Sequence, residues 1–193
     1  MTMQVLQVCT GAARATQIAG RRVMTAIHKT PVAEPVAVGL LGLQGDEQAD
    51  LSVHGGLSKA VYAYPSEHLP FWQTVRAQAR VSLWDDAVPT GVLGENLLLQ
   101  GVLEKDLWVG DRLVLPQCTL LVSEPRLPCF KFTAAMGFAQ AGKLMAQSGY
   151  CGSYLAVLQG GFVLAGDGIE LQPGPREVSI VELFRSRARG LLR

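Results

Sequence analysis

A mainly β, α+β domain with a few helices is what this sequence predicts, and three observations predict it. Short runs rich in Val, Leu and Ile recur along the chain, 21 glycines are spread between them as turn punctuation, and few stretches carry helical spacing. At 193 residues, 49% hydrophobic and 17% charged, the chain can bury a core unaided. One domain over residues 1–180 with a short helical tail over 181–193 is expected.

Taken in order, strands are expected at Gln4 to Val8, Arg22 to His28, Val36 to Leu43, Ala60 to Tyr64 and Asn96 to Leu99. Further strands are expected at Arg112 to Leu115, Thr119 to Ser123, Tyr154 to Leu158, Phe162 to Ala165 and Glu177 to Val181. Pro65, Ser66 and Glu67 open a helix running to about Arg80, with Leu69, Phe71, Trp72, Val75 and Ala79 at mixed three and four spacing. A weaker helix covers Phe138 to Gln147. From Val181 to Arg193, Arg185, Arg187, Arg189 and Arg193 alternate with Leu183, Phe184, Leu191 and Leu192, which reads as an amphipathic helix with a solvated basic face.

The net charge of +1 supplies no global field for nucleic acid or an anionic membrane, so any anion site must be local. No apolar run approaches the roughly 20 residues of a membrane helix, and the N-terminus lacks a basic region followed by an apolar one. A cytoplasmic location is expected. The four cysteines, Cys9, Cys118, Cys129 and Cys151, are irregularly separated and lack the close pairing of a zinc site, so reduced thiols are expected.

Three segments carry chemistry. Gly45 to Gly56, followed by Lys59, is a long polar connection between apolar runs. In it His54 precedes Gly55 and Gly56, where the backbone must turn sharply or approach a ligand, and Lys59 is placed to meet a phosphate. The plainer alternative is a hairpin turn in which His54 pairs with Asp46 or Asp50. The second segment, Gly91 to Leu97, contains Glu95 and Asn96, able to hold a heterocycle or fix a cation, or simply to form a turn.

In the third segment, Ser123 to Lys131, Pro125 and Pro128 stiffen the backbone around Arg126 and leave an extended run. Arg126 and Lys131 flank Cys129, a setting that favours the thiolate, the form that attacks electrophiles and binds soft metals. Cys129 is therefore either a nucleophile or sulfur carrier, or a metal ligand. A Cys and His hydrolase would require His54 or His68 as base, and no local signature supports one. Cys9, Cys118 and Cys151 lack comparable surroundings and read as small buried hydrophobes.

The order of these pieces resembles the MOSC family, named for the C-terminal domain of molybdenum cofactor sulfurase, and within it the YiiM-like branch. The resemblance is carried by His28 to Val32; by Gly45, Asp46, Gln48, Ala49, Asp50, His54, Gly55, Gly56, Lys59, Ala60, Tyr64 and Pro65; and by Gly94 to Leu97. It continues through Gly110, Asp111, Pro125, Arg126, Pro128, Cys129 and Lys131 to Gly152, Tyr154, Val157, Leu158, Gly166 and Asp167.

The resemblance implies a β-barrel with peripheral helices and a molybdenum cofactor, whose molybdopterin dithiolene holds the metal while Cys129 is the protein ligand. It implies reduction of N-hydroxylated small molecules, hydroxylaminopurines or amidoximes, with electrons from a separate donor protein. Lys29, Lys59, Arg126 and Lys131 are then candidates for the cofactor phosphate, and Asn96, Glu95 and the His54-Gly55-Gly56 loop for the pterin. The alternative is a non-catalytic cofactor-binding or sulfur-carrier domain bearing a persulfide on Cys129. Two features depart from the family pattern: Ala156 stands where relatives often carry Arg, and the chain ends at Arg193, short of a full helical extension.

Overall fold

The computed structural model describes residues 2–49 and 55–190. Its main sheet has eight strands: β1 (Gln4–Thr10), β4 (Thr30–Val32), β7 (Val61–Pro65), β8 (Leu97–Gln100), β9 (Arg112–Val114), β10 (Thr119–Pro125), β11 (Ser153–Gln159) and β13 (Glu170–Gln172). They lie in the order β13-β9-β10-β11-β7-β8-β1-β4. Neighbours are antiparallel except β7 and β8, whose parallel pairing requires a crossover. The crossover contains α1 (Leu69–Gln78). A second sheet joins β12 (Gly161–Val163), β5 (Val36–Gly39) and β6 (Gly42–Leu43), and β2 (Arg14–Ile18) pairs with β3 (Arg21–Thr25) as a hairpin. Three more helices complete the fold: α2 (Phe130–Met136), α3 (Ala141–Ser148) and α4 (Ile180–Ala188).

The α+β class with a dominant sheet is as expected, but no closed barrel of strands forms among the described residues. The sheet curls without closing its ladder. Val5 N–H donates to Asp167 O at 2.9 Å and accepts at its carbonyl from Gly166 N–H at 2.8 Å, so the segment before β13 meets β1 through a short bridge only.

Both faces of the central strands are buried, which is why they read as continuous apolar runs. Side chains alternate across the pleat: Val61, Ala63, Leu97, Leu99, Leu155 and Val157 enter one apolar cluster. Tyr62, Tyr64, Leu98 and Tyr154 enter the other, with Trp72, Leu93, Phe132 and Met145. The functional cleft described below lies on this second, aromatic face.

Three local expectations change. No strand runs from Glu177 to Val181: Ser179 accepts from the Glu182 N–H, Glu182 reaches back to the Ser179 N–H, and this capping box starts α4 at Ile180. The run Val36 to Leu43 is broken at the exposed Leu40 and Leu41 into β5 and β6. The extended segment expected to reach Lys131 ends at Cys129, where α2 begins, because Pro128 restricts the residues before it and nothing after it opposes a helix. In α4, Ile180, Phe184 and Ala188 are buried and Arg185 and Arg187 face solvent; Arg187 also donates to Glu124 at 2.5 Å.

A buried polar knot fixes the loop after α3. Glu104 Oε2 meets His68 Nε2 at 2.7 Å, its Oε1 accepts the Gly152 N–H at 2.7 Å, and His68 stacks on Tyr150 at 3.8 Å between ring centres. Glu104→Ala leaves both partners buried and unsatisfied, and is expected to cost about 3 kcal/mol in chemical denaturation. A loss below about 1 kcal/mol would show that the knot contributes little.

Candidate active site

β10 ends at Pro125, and Arg126, Leu127 and Pro128 lead directly to Cys129, which takes extended backbone angles (φ −137°, ψ 168°) as the N-cap of α2. Its carbonyl accepts the Thr133 N–H at 3.0 Å, and its side chain is half-buried beside the aromatic cluster. It lines a cleft of about 90 Å³. Four separate parts of the chain converge there: residues 25–29 after β3, residues 46–49, Lys59 to Tyr62, and Arg126 to Lys131, with Gly94, Asn96 and Tyr154 completing the wall.

Arg126 organises this cleft. It is buried, its guanidinium lies 4.6 Å from the Tyr62 ring centre and 5.5 Å from that of Phe132, and Nη1 donates to the Leu93 carbonyl. Burial opposes its charge, yet the Tyr62 and Tyr154 hydroxyls and the Cys129 thiol shift the balance toward the protonated form. Among the described residues its Nε has no hydrogen-bond partner, which leaves a buried donor beside the cleft. The three other cysteines are buried; burial pushes Cys9 up to about 12 and Cys118 to about 11, and raises Cys151 well above its ordinary value. None is in a disulfide. Cys129 is the half-buried thiol of the four, and it interacts with the Arg126 guanidinium.

The remaining expected site residues divide. Lys29, Lys59, Asn96, Arg126 and Lys131 do line the cleft with Cys129. Lys29, however, is ion-paired with Asp46, which also accepts the Gly11 N–H at 2.9 Å; burial is the main cause lowering the Lys29 pKa, against the pull of Asp46. Its charge is therefore largely neutralised. Lys59 lies 4.0 Å from Glu124 and 5.8 Å from the Tyr154 ring centre. Lys131 Nζ donates to the Met24 carbonyl at 3.0 Å.

Asn96 is committed to the fold: Oδ1 accepts the Tyr62 N–H at 3.0 Å and Nδ2 donates to the Cys9 carbonyl at 3.2 Å, stitching β7 to β1. Glu95 lies behind the cleft, accepting the Gly91 N–H at 2.5 Å. The intervening Gly94 has φ +83° and approaches both Ile27 and Arg126, so a Cβ there would be 3.0 and 3.3 Å from their side chains. Gly55 and Gly56 do not touch the cleft. Gly56 has φ +89° and open space where a Cβ would lie, so its need is the turn into residues 57–59, and its N–H donates to Gln48 Oε1 at 2.8 Å. His54 lies outside the described residues.

Tyr62, Tyr154, Asp46 and Gln48 complete the cleft. Tyr62 carried no signal, since it sits in the apolar run Val61 to Pro65 and resembles core. Burial raises the pKa of both tyrosines, so both hold their hydroxyl protons near neutral pH. Among the described residues, no three His, Cys, Asp or Glu side chains cluster as metal ligands. No helix of the described residues is long and apolar enough to cross a membrane.

The MOSC domain model matches residues 50–170, a span from the loop before Lys59 past Cys129 to β13. This chain belongs to the MOSC domain family. Within it the chain is similar to protein YiiM of Escherichia coli, 32% identical over 159 residues covering 82% of this chain and 68% of that protein. The crystal structure of YiiM from Geobacillus stearothermophilus superposes with a TM-score of 0.76 at 31% identity, covering 97% of this chain and 85% of that one. The branch is therefore YiiM-like. A Gibberella moniliformis protein named "Reductase" is 34% identical over 157 residues, 81% of this chain but 27% of that protein. MOSC domains are associated with the molybdenum cofactor.

Glu95 gives the site a pH signature. Burial raises its carboxyl from the ordinary 4.5 to about 7, partly opposed by the Gly91 N–H and by Arg126. The folded state thus binds this proton more tightly than the unfolded chain. Its stabilisation is complete below about pH 4.5 and is lost as pH rises through about 7. Glu95→Gln is expected to flatten that part of the stability profile, read by urea midpoints between pH 4.5 and 8; an unchanged slope of the urea midpoints would refute the assignment.

Proposed function

We propose that this MOSC protein is a molybdenum-cofactor oxidoreductase that reduces N-hydroxylated small molecules, with Cys129 as the protein ligand to the metal. One observation carries this reading: a half-buried thiol lies in a cleft with Arg126, Lys59 and Lys131, on the face where the described residues gather no metal cluster of their own. A metal held by one thiolate must arrive with most of its ligands, as a dithiolene cofactor does. The Arg126 Nε, unpaired among the described residues, and the cationic wall suit an anionic, hydrogen-bonding guest.

When bound, the cofactor supplies the two-electron chemistry of R–NHOH + 2e⁻ + 2H⁺ → R–NH₂ + H₂O. The chain does the rest. Arg126, fixed by the Leu93 carbonyl and two rings, holds positive charge beside Cys129 and favours its thiolate. Lys131 and Lys59 offer charge to a phosphate, while the Lys29–Asp46 pair holds the 46–49 segment against the cleft. Tyr62 and Tyr154 line the cleft with rings that keep their hydroxyl protons, that of Tyr62 donating to the Cys151 carbonyl at 2.7 Å.

Protein purified from a host that makes the cofactor is expected to contain molybdenum and to reduce hydroxylaminopurine or an amidoxime with reduced methyl viologen. Cys129→Ser is expected to retain the fold by circular dichroism but lose metal and more than about 100-fold in turnover. Folded wild-type protein without molybdenum would overturn the reading.

A further inference from the structure

A second concavity, of about 930 Å³, opens beside the cleft between the β2–β3 hairpin and α2. Ile18 and Val23 of the hairpin face Phe130 and Phe138, with Arg21 and Arg22 on the rim. Phe130 is 58% exposed although it follows Cys129 directly. The same two elements line both cavities: β3 runs from the groove at Arg21 to the cleft at Thr25, and α2 runs from Cys129 at the cleft to the groove-lining Phe130, Thr133 and Ala134. Lys131 clamps them together through the Met24 carbonyl.

The charged residues that line the groove are both arginines, Arg21 and Arg22. The chain has 16 carboxylates, yet none occurs from Gly11 to Ala33 or from Pro125 to Gly166, the two stretches that build the groove. Arg14, Arg21, Arg22, Lys131 and Lys143 fall within them. An exposed apolar floor with a purely basic rim fits a partner with an acidic rim around an apolar contact.

We propose that this groove docks a small acidic electron-transfer protein, which delivers electrons to the cleft past Phe130 and Cys129. The proposal rests on the reductase reading, whose reaction consumes two electrons and two protons; an iron–sulfur donor supplies the electrons in two one-electron encounters and solvent supplies the protons. Small, charge-steered interfaces suit such brief encounters.

The probe is a plant-type [2Fe–2S] ferredoxin, an acidic protein, tested with cofactor-loaded protein in two ways. Calorimetry with oxidised ferredoxin is expected to show binding that weakens about tenfold between about 20 and 200 mM salt. Steady-state reduction of the N-hydroxy substrate is measured with reduced ferredoxin and, separately, with reduced methyl viologen. Arg21→Glu/Arg22→Glu, on the hairpin, and Ala134→Glu, on the helix wall, are each expected to raise the ferredoxin KM by about tenfold or more and to leave viologen-driven turnover unchanged. Absence of ferredoxin binding, or ferredoxin kinetics unaltered in both variants, would overturn the docking proposal while viologen turnover upholds the reductase reading. So would a raised KM for the N-hydroxy substrate in the viologen assay, which would give the groove to substrate, or a self-association of the protein that Ala134→Glu abolishes. Loss of viologen turnover in the wild type would instead strike the reductase reading, and the docking proposal falls with it.

Discussion

The buried guanidinium of Arg126 is the constraint around which the site is organised. Taking an arginine out of water costs several kcal/mol unless its charge and donors are met. Here two aromatic faces and one carbonyl meet most of them: Tyr62 from β7, Phe132 from α2 and Leu93 from the loop before β8. Those three elements are thereby held at fixed separations around Cys129. The cost is only partly offset, because Nε has no partner among the described residues, and an incompletely satisfied buried donor is tolerated most readily where a bound molecule completes it.

Strand register sets the walls of the cleft as firmly as Arg126 sets its charge. Tyr154 lies opposite Tyr62 across the β11–β7 ladder, and the two rings pack at 5.4 Å between centres. A slip of one residue would turn Val61 or Leu155 toward the cleft and send the tyrosines into the aliphatic cluster. Asn96 opposes such a slip, since its side chain bonds the Tyr62 N–H on β7 and the Cys9 carbonyl on β1 at once. Its value to the site is thus indirect: it fixes where the ring of its neighbour's strand must point.

The sequence disclosed what depends on local pattern and hid what depends on long-range pairing. Cys129 stood out because prolines and cations surround it within a few residues, and the structure places it in the cleft with Arg126 and Lys131. The main strands were legible as apolar runs, whereas β2, β4 and β13 are short or polar and exist through their partners. Asp46 silences the charge of Lys29 from 17 positions away, a pairing that no spacing rule announces. Gly55 and Gly56 looked like a ligand cradle because glycine serves turns and close approaches alike, and for Gly56 only the open space around its backbone decides for the turn. The expected barrel came from family resemblance, and the described strands curl toward it without completing the ladder.

Charge is distributed so that a nearly neutral chain still has a strongly directional surface. The net charge is +1, yet the acidic residues are absent from the two stretches that form the hairpin and the segment from Pro125, the last residue of β10, through β12. Of the carboxylates near the cleft, Asp46 is paired with Lys29, Glu124 with Arg187 and Lys59, Glu95 holds its own proton up to about pH 7, and the exposed Glu47 accepts the Ala13 N–H at 2.7 Å. Within the cleft wall the charge of Arg126 and Lys131 is therefore opposed mainly by Glu47. A field of this kind reaches only about 10 Å at ordinary ionic strength, which spans a cleft but not the whole molecule. Selection of an anionic guest beside Cys129 thus needs no basic protein, only the exclusion of acids from one side of it.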